Sequence, residues 1–196
     1  MLSLKDSLAV LKRTKALIEG HFILSSGLHS PLYVQCAKLL SYPNKSKNFC
    51  ISLSKKIKKK IKNVDLILSP AVGGIIIGYE MGRLLKKETV FCERVDGKFK
   101  LRRGFSIQKN SRVLIVEDVI TTGKSSLECV KLIKKSRAKL IGFACLIDRS
   151  NKNSIKIKNK KIISQIKLDI PTFNKNNLPI SLKKIPITKP GSRFLK

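Results

Sequence analysis

Residues 113–126, VLIVEDVITTGKSS, hold the spacing richest in chemistry. Two adjacent acids, Glu117 and Asp118, follow the apolar run Val113–Val116; after Val119 and Ile120 come Thr121, Thr122, Gly123, Lys124, Ser125 and Ser126. A β-branched and aliphatic run without alternation fits a central parallel strand covered on both faces. Ligands of such sheets sit beyond the carboxyl ends of the strands. The acids therefore belong at a rim, where two neighbouring carboxylates need hydroxyl donors or a metal-bound ligand. The hydroxyl residues supply donors, and the helix they open supplies free N–H groups and a dipole that favours an anion. Gly123 lets the backbone approach a phosphate closely. A nucleotide-triphosphate loop ending in Gly123–Lys124–Ser125 would need glycine five residues before Gly123, and Asp118 stands there. Acids inside a phosphate cup suit a sugar phosphate: carboxylates accept from ribose hydroxyls while N–H groups hold the 5′-phosphate.

Three further segments could share that chemistry. Ser69–Gly74 has Pro70 to stiffen a turn and Gly73 and Gly74 to expose N–H groups toward a diphosphate, although a plain strand-to-helix turn would look much the same. Arg94, Lys98, Lys100, Arg102 and Arg103 put five cations within ten residues, with Gly97 and Gly104 as flexible points. Alone, such a run is a solvated charged hairpin; beside a phosphate cup, its closure would bring cations onto a leaving diphosphate and exclude water. Arg149 follows another apolar run, and a planar guanidinium matches a planar carboxylate bidentately. By itself, Asp148–Arg149 is more often a surface ion pair.

The elements that must position these residues follow from periodicity. Leu4, Leu8, Leu11, Leu17 and Ile18 predict a helix over 2–19 that Gly20 ends. Phe22–Leu24 and Leu32–Cys36 predict two short strands, and 44–62 a Lys-rich amphipathic helix. Val64–Leu68, a turn at Pro70–Gly74 and a helix over Ile75–Leu85 form a strand–loop–helix unit. Thr89–Cys92 opens a strand, 94–104 is a charged loop, and the motif strand leads to a helix over 124–135. Lys139–Ile147 and 161–168 are further strands. Strands alternating with helices predict an α/β fold, a parallel sheet with helices on both faces. Four prolines after residue 170 break up the tail, whose apolar residues favour docking onto the domain over disorder.

Bulk properties narrow the classes. A chain of 196 residues with 42% hydrophobic content is one domain with a sizeable core. A net charge of +30 raises nucleic acid or an anionic membrane as a partner, but the lysines lie among Ile and Asn rather than base-stacking aromatics. Specific nucleic-acid binding and membrane association are therefore not expected, while a positive field would speed encounter with anionic substrates. Five cysteines without a C-x-x-C pair read as reduced, buried side chains of a cytoplasmic protein. His21 and His29 fall in no ligand pattern, and no apolar stretch is long enough to span a bilayer.

The acid–hydroxyl motif resembles the phosphoribosyl-diphosphate (PRPP) loop of the type I phosphoribosyltransferases. Further segments, GHFILSSGLHSPLYVQCAKLL at 20–40, SPAVGGIIIGYEMGR at 69–83, FCERVDGKFKLRRGF at 91–105, CLIDRS at 145–150 and PITKPGSR at 186–193, are similar to the orotate phosphoribosyltransferase family. The resemblance implies a single domain over 1–196: a core of about 41–150 and a small hood made of about 1–40 and the tail, about 151–196. It implies transfer of ribose 5-phosphate from PRPP to orotate in pyrimidine (UMP) biosynthesis. Residues 117–125 then bind PRPP, with Asp118 also catalytic, and Thr121 and Arg149 bind orotate. Ala71, Gly73 and Gly74 lie on the pyrophosphate side, and Arg94, Lys98 and Lys100 act from a catalytic loop that often serves a neighbouring subunit. Mg²⁺ would be held through PRPP, with no direct protein ligand, in a homodimer. Two positions depart from the better-known pattern, Lys100 where it has histidine and Ser25 where it has lysine, which leaves the general acid unassigned. Alternatives are a purine or uracil phosphoribosyltransferase, or a nucleic-acid-binding regulator of the same fold.

Overall fold

The computed structural model describes residues 2–24, 26–150 and 162–189. Ser25, the tail at 151–161 and Pro190–Arg193 lie outside the described residues. In chain order the elements are α1 Leu4–Arg13, β1 Leu17–Ile23, β2 His29–Val34, α2 Cys36–Leu40, α3 Pro43–Lys60, β3 Leu66–Pro70, α4 Gly73–Leu85, β4 Glu88–Val95 and β5 Lys98–Leu101. There follow β6 Arg112–Ile120, α5 Lys124–Lys135, β7 Lys139–Asp148, β8 Ile162–Lys167, α6 Ile180–Lys183 and β9 Ile187–Thr188.

Six strands form the main sheet in the order β5-β4-β3-β6-β7-β8, with all pairs parallel except the antiparallel edge pair β4–β5. Alternation along β6 decides its two faces. Leu114 and Val116 join an apolar cluster with Phe49, Leu53 and Ile57 of α3 and Ile77 and Met81 of α4. Val113 and Ile115 join the opposite cluster with Cys129 and Ile133 of α5, together with Phe99 and Ile107. The run without alternation is thus buried twice over, as expected of a central parallel strand. The first cluster also takes in Leu11, Ala16, Leu17 and Val34, so the N-terminal segment shares the core of the sheet.

Helix α1 is shorter than the periodicity predicts. Ser3 caps it by accepting from Asp6 N–H, and Thr14 ends it by donating its hydroxyl to Val10 O, after which Lys15 takes φ +54°. Residues 17–20 belong instead to β1, where Leu17, Ile18 and Glu19 pair with Val34, Tyr33 and Leu32 of β2. Pairing with a partner strand outweighs the local spacing. Cys36, expected at a strand end, opens the short helix α2.

The described part of the tail, 162–189, docks as its apolar content predicts. β9 pairs with β1 to give the three-stranded sheet β2-β1-β9, Phe173 bridges His29 through paired backbone bonds of 2.9 Å, and Leu182 of α6 is buried. Inside this small sheet His21 and His29 are both buried, with Nε2 of the first 2.6 Å from Nδ1 of the second. All five cysteines are free and buried. No helix among the described residues is long and apolar enough to cross a membrane.

Candidate active site

β3, β4, β6 and β7 are parallel and end at one rim, and α4 and α5 both begin there, on opposite faces of the sheet. Each helix start carries N–H groups without intrahelical partners and the positive end of a dipole. α5 follows β6 through Thr121, Thr122 and Gly123; both threonines are exposed, and Gly123 takes φ +74° at the helix cap. Lys124, Ser125 and the first turn of α5 therefore present donors suited to an anion one short loop beyond Asp118.

α4 begins at Gly73 rather than after a turn at 70–74, because β3 runs on to Pro70. The glycines there meet a packing demand. A Cβ on Gly73 would lie 2.8 and 2.9 Å from the two carboxylate oxygens of Asp118, and one on Gly74 would lie 3.1 Å from Pro70 Cδ and 3.3 Å from Val116 O. Ala71, on the short turn before them, donates its N–H to Cys92 O at 2.7 Å. The start of α4 thus touches Asp118 directly, and the two helix mouths flank one carboxylate.

The two acids part company. Adjacent strand residues point to opposite faces, and Glu117, expected beside Asp118 at a ribose, turns under α5. It is 7% exposed, and its carboxyl accepts from Ser126 Oγ. Burial pushes its pKa up to about 7, with the Ser126 hydrogen bond pulling the other way and the Asp118 charge adding. Asp118 faces α4 and the site; burial raises its pKa as well, opposed by the N–H of Val119, which donates to Oδ1 at 2.9 Å.

Arg149 lies where strand register predicts. Ile120 pairs with Asp148, and Arg149 N–H donates to Ile120 O at 2.8 Å, which seats Arg149 beside Thr121 across the β6–β7 rim. It forms no ion pair with Asp148, whose Oδ1 instead accepts from Ser150 N–H at 2.8 Å. Burial lowers the Arg149 pKa, and its Nε is buried without a hydrogen-bond partner. A guanidinium desolvated in this way and left short of acceptors is poised for an anionic ligand.

The segment at 94–104 is not an open loop. β4 and β5 form a hairpin whose two-residue turn, Asp96–Gly97, has φ of +54° and +74°. Asp-Gly between strand residues is a strong short-range hairpin signal, and it was legible in the sequence. Val95 stands three residues past Cys92, the partner of the last β3 residue, so the hairpin rises about 10 Å above the rim. Arg94, expected to move with a loop, is anchored: its guanidinium bridges Glu128 of α5 at 2.9 Å and lies 4.2 Å from the Phe99 ring centre. Lys100 pairs with Asp96 at 3.2 Å and Arg103 with Glu93 at 3.2 Å, while Lys98 is exposed.

Tyr33 and Cys36 also reach the site, and nothing local in the sequence marks them. Cys36 Sγ lies 3.7 Å from Asp118 O. Burial raises the Tyr33 pKa, with Arg149 opposing and Asp118 adding, so the phenol sits among the charged groups at the rim. Ser126 and Glu128, which hold Glu117 and Arg94, fall one helical turn or less into α5.

The profile of the phosphoribosyl transferase domain matches residues 43–177. The chain is 46% identical over 194 residues to a Parvibaculum lavamentivorans protein named orotate phosphoribosyltransferase, covering 97% of this chain and 99% of that one. A Phenylobacterium zucineum protein of the same name is 44% identical, covering 98% of each. Among solved structures, orotate phosphoribosyltransferase from Aeropyrum pernix superposes with a TM-score of 0.70 at 21% identity, over 82% of this chain and 92% of that one. Adenine phosphoribosyltransferase from Thermoanaerobacter pseudethanolicus gives 0.60 at 18% identity, over 70% and 88%. These two likenesses concern the fold.

Proposed function

The chain belongs to the phosphoribosyl transferase family, in its orotate phosphoribosyltransferase branch, and on that premise we propose that it moves ribose 5-phosphate from PRPP to N1 of orotate, giving orotidine 5′-monophosphate and pyrophosphate in pyrimidine (UMP) biosynthesis. One observation carries the choice of base: the buried Arg149 Nε without an acceptor, next to Thr121. A carboxylated pyrimidine completes that guanidinium, whereas adenine, hypoxanthine and uracil offer no carboxylate.

The two helix mouths suit a substrate with phosphate at both ends of a pentose. The start of α5, with Thr121–Ser125, holds the 5′-phosphate, and the start of α4, with Ala71, Gly73 and Gly74, faces the diphosphate. Asp118 between them accepts from the ribose hydroxyls. The bond from C1 of the ribose to the diphosphate oxygen breaks as N1 bonds to C1; the electron pair leaves with the diphosphate, and the N1 proton is released to the departing diphosphate or to water. Positive charge builds on the sugar in between, so positioning and charge neutralisation supply the rate without a protein nucleophile. Lys98 and Lys100 stand on the hairpin above the rim, from where cations reach a leaving diphosphate, while Arg102 and Arg103 follow the end of β5; Arg94 fixes the hairpin base to α5 through Glu128. Glu117 acts indirectly, tying β6 to the first turns of α5 through Ser126.

Mg²⁺, implied by the family, would be carried by the substrate, and Asp118 is the carboxylate at the rim between the two helix starts. When bound the metal would neutralise diphosphate charge. A homodimer is supported by an exposed apolar stripe, Ile76 and Tyr79 on α4 with Val72 at its cap. Five free cysteines support a reducing, cytoplasmic setting.

The test is pyrophosphate release by the purified protein with PRPP, Mg²⁺ and a panel of bases. Orotate alone should support turnover, and Arg149→Ala should raise KM for orotate about 100-fold, as expected for truncating one partner of a desolvated charged pair. KM for PRPP should change less than about threefold. Reaction with adenine, hypoxanthine or uracil, or equal losses toward both substrates, would overturn the proposal.

A further inference from the structure

Opposite the site, at the amino ends of the parallel strands, the connections α3–β3, α4–β4, β5–β6 and α5–β7 converge. We infer that this pole binds the phosphate backbone of duplex nucleic acid without sequence selectivity.

The charge there is concentrated and unbalanced. Lys58, Lys59 and Lys60 close α3, Lys86 and Lys87 follow α4, and Lys134, Lys135 and Arg137 end and follow α5, all of them exposed. The groups are contiguous. Lys58 and Lys87 line one small cavity; Asn110 N–H donates to Arg137 O at 3.1 Å; Lys139 N–H donates to Ser111 O at 2.8 Å. One acid lies within these connections and one opens the strand that follows, Glu88 of β4. Asp65 is taken by Arg112 at 2.7 Å, and Glu88 remains. Helix C-termini favour basic side chains, but their partial charges are about half a unit each, far fewer than the cations gathered there. Lys87, Arg137 and Lys139 lie outside the helices altogether.

The surface chemistry selects the partner. None of the exposed large apolar side chains falls in these connections, so an amphipathic membrane contact lacks its anchor. Tyr79, which lines a pocket with Lys86 and Lys87, is a single exposed ring beside these connections, not the row of aromatics that stacks successive single-stranded bases. Lysine is depleted at the cores of protein–protein interfaces. Flexible ammonium groups facing a regular row of phosphates remain, and the four strand ends β4-β3-β6-β7 span about 15 Å, a length of duplex carrying about nine charges. A duplex held at this pole leaves the opposite rim open to substrates.

Fluorescence anisotropy of the full chain with a labelled 24-base-pair duplex tests this at several salt concentrations, with DNA and RNA arms separating the two sources of phosphate backbone. Between 50 and 200 mM KCl, Kd should rise about 10²- to 10³-fold, the loss expected for four or five neutralised phosphates. The variant Lys58→Gln/Lys59→Gln/Lys134→Gln/Lys135→Gln should bind at least tenfold more weakly at 100 mM KCl, with a shallower salt slope. Removing four exposed lysines elsewhere, at positions 5, 38, 47 and 183, should cost less than about twofold. Circular dichroism verifies the fold of each variant; should the first misfold, Lys86→Glu/Lys87→Glu gives the same readout. Equal losses from both lysine sets, no duplex binding, or tighter binding to phosphatidylserine vesicles or poly-glutamate would overturn the inference.

Discussion

Glu117→Gln should make the protein more stable in alkali than in acid, relative to the wild type. The Glu117 carboxyl is 7% exposed, and its pKa is pushed from the ordinary 4.5 to about 7, chiefly by burial. Between those two pH values the folded chain keeps a proton that the unfolded chain has released. Folding therefore binds protons over that window, and stability falls as pH rises through it. At about 1.4 kcal/mol for each pH unit, the burden reaches about 3 kcal/mol by pH 8 and is absent below pH 4.5. Glutamine carries no such burden and can still accept from Ser126 Oγ; its amide N–H₂ adds a cost that does not vary with pH. Every other titrating group is common to both proteins, so the gap in unfolding free energy isolates this one. Urea denaturation at pH 4.5 and pH 8 should show the gap moving by about 2–3 kcal/mol in favour of the variant. A gap that moves by less than about 0.5 kcal/mol would refute a buried, proton-holding Glu117 and return its carboxylate to the solvated rim. Ser126→Ala, which removes the hydrogen bond opposing the upward shift, should extend the decline to higher pH at the same slope.

Gly73→Ala should place a methyl against the Asp118 carboxylate, costing about 1–3 kcal/mol of stability and raising KM for PRPP more than KM for orotate. Thermal melts and steady-state kinetics read the two effects, and an unchanged KM for PRPP would mean that the start of α4 stands apart from the substrate. Arg149→Lys keeps the charge but loses the fork, so it should recover little of the orotate affinity that Arg149→Ala removes; full recovery would mean that charge alone matters. Tyr79→Asp should halve the mass seen by sedimentation at micromolar concentration, because a carboxylate on the exposed apolar stripe of α4 would be buried unpaired across a subunit contact. An unchanged mass would move the dimer contact elsewhere.

Elements held by their own local pattern were legible. α5 spans the 124–135 that its periodicity predicts, and β7 and β8 fall within a residue or so of expectation. The N-terminal helix was overextended, because Leu17 and Ile18 continue a helical spacing yet find partners in β2, a preference no local window contains. The charged run at 94–104 reads by itself as a hairpin, and Asp96–Gly97 provides its turn.

At the site, the sequence by itself determined which chemistry is present: two acids, a hydroxyl- and glycine-bearing helix start, and a guanidinium one strand away. Residue order along a strand also fixes that Glu117 and Asp118 point to opposite faces. Which face meets the substrate depended on where α4 and α5 pack, and that packing assigned Asp118 to the rim and Glu117 to the interior. The convergence of Gly73 with Asp118, of Tyr33 with Arg149, and of the basic connections at the far pole likewise joins residues distant in the chain. Such neighbours are set by the burial of both sheet faces at once, a condition on the whole chain that short segments cannot express.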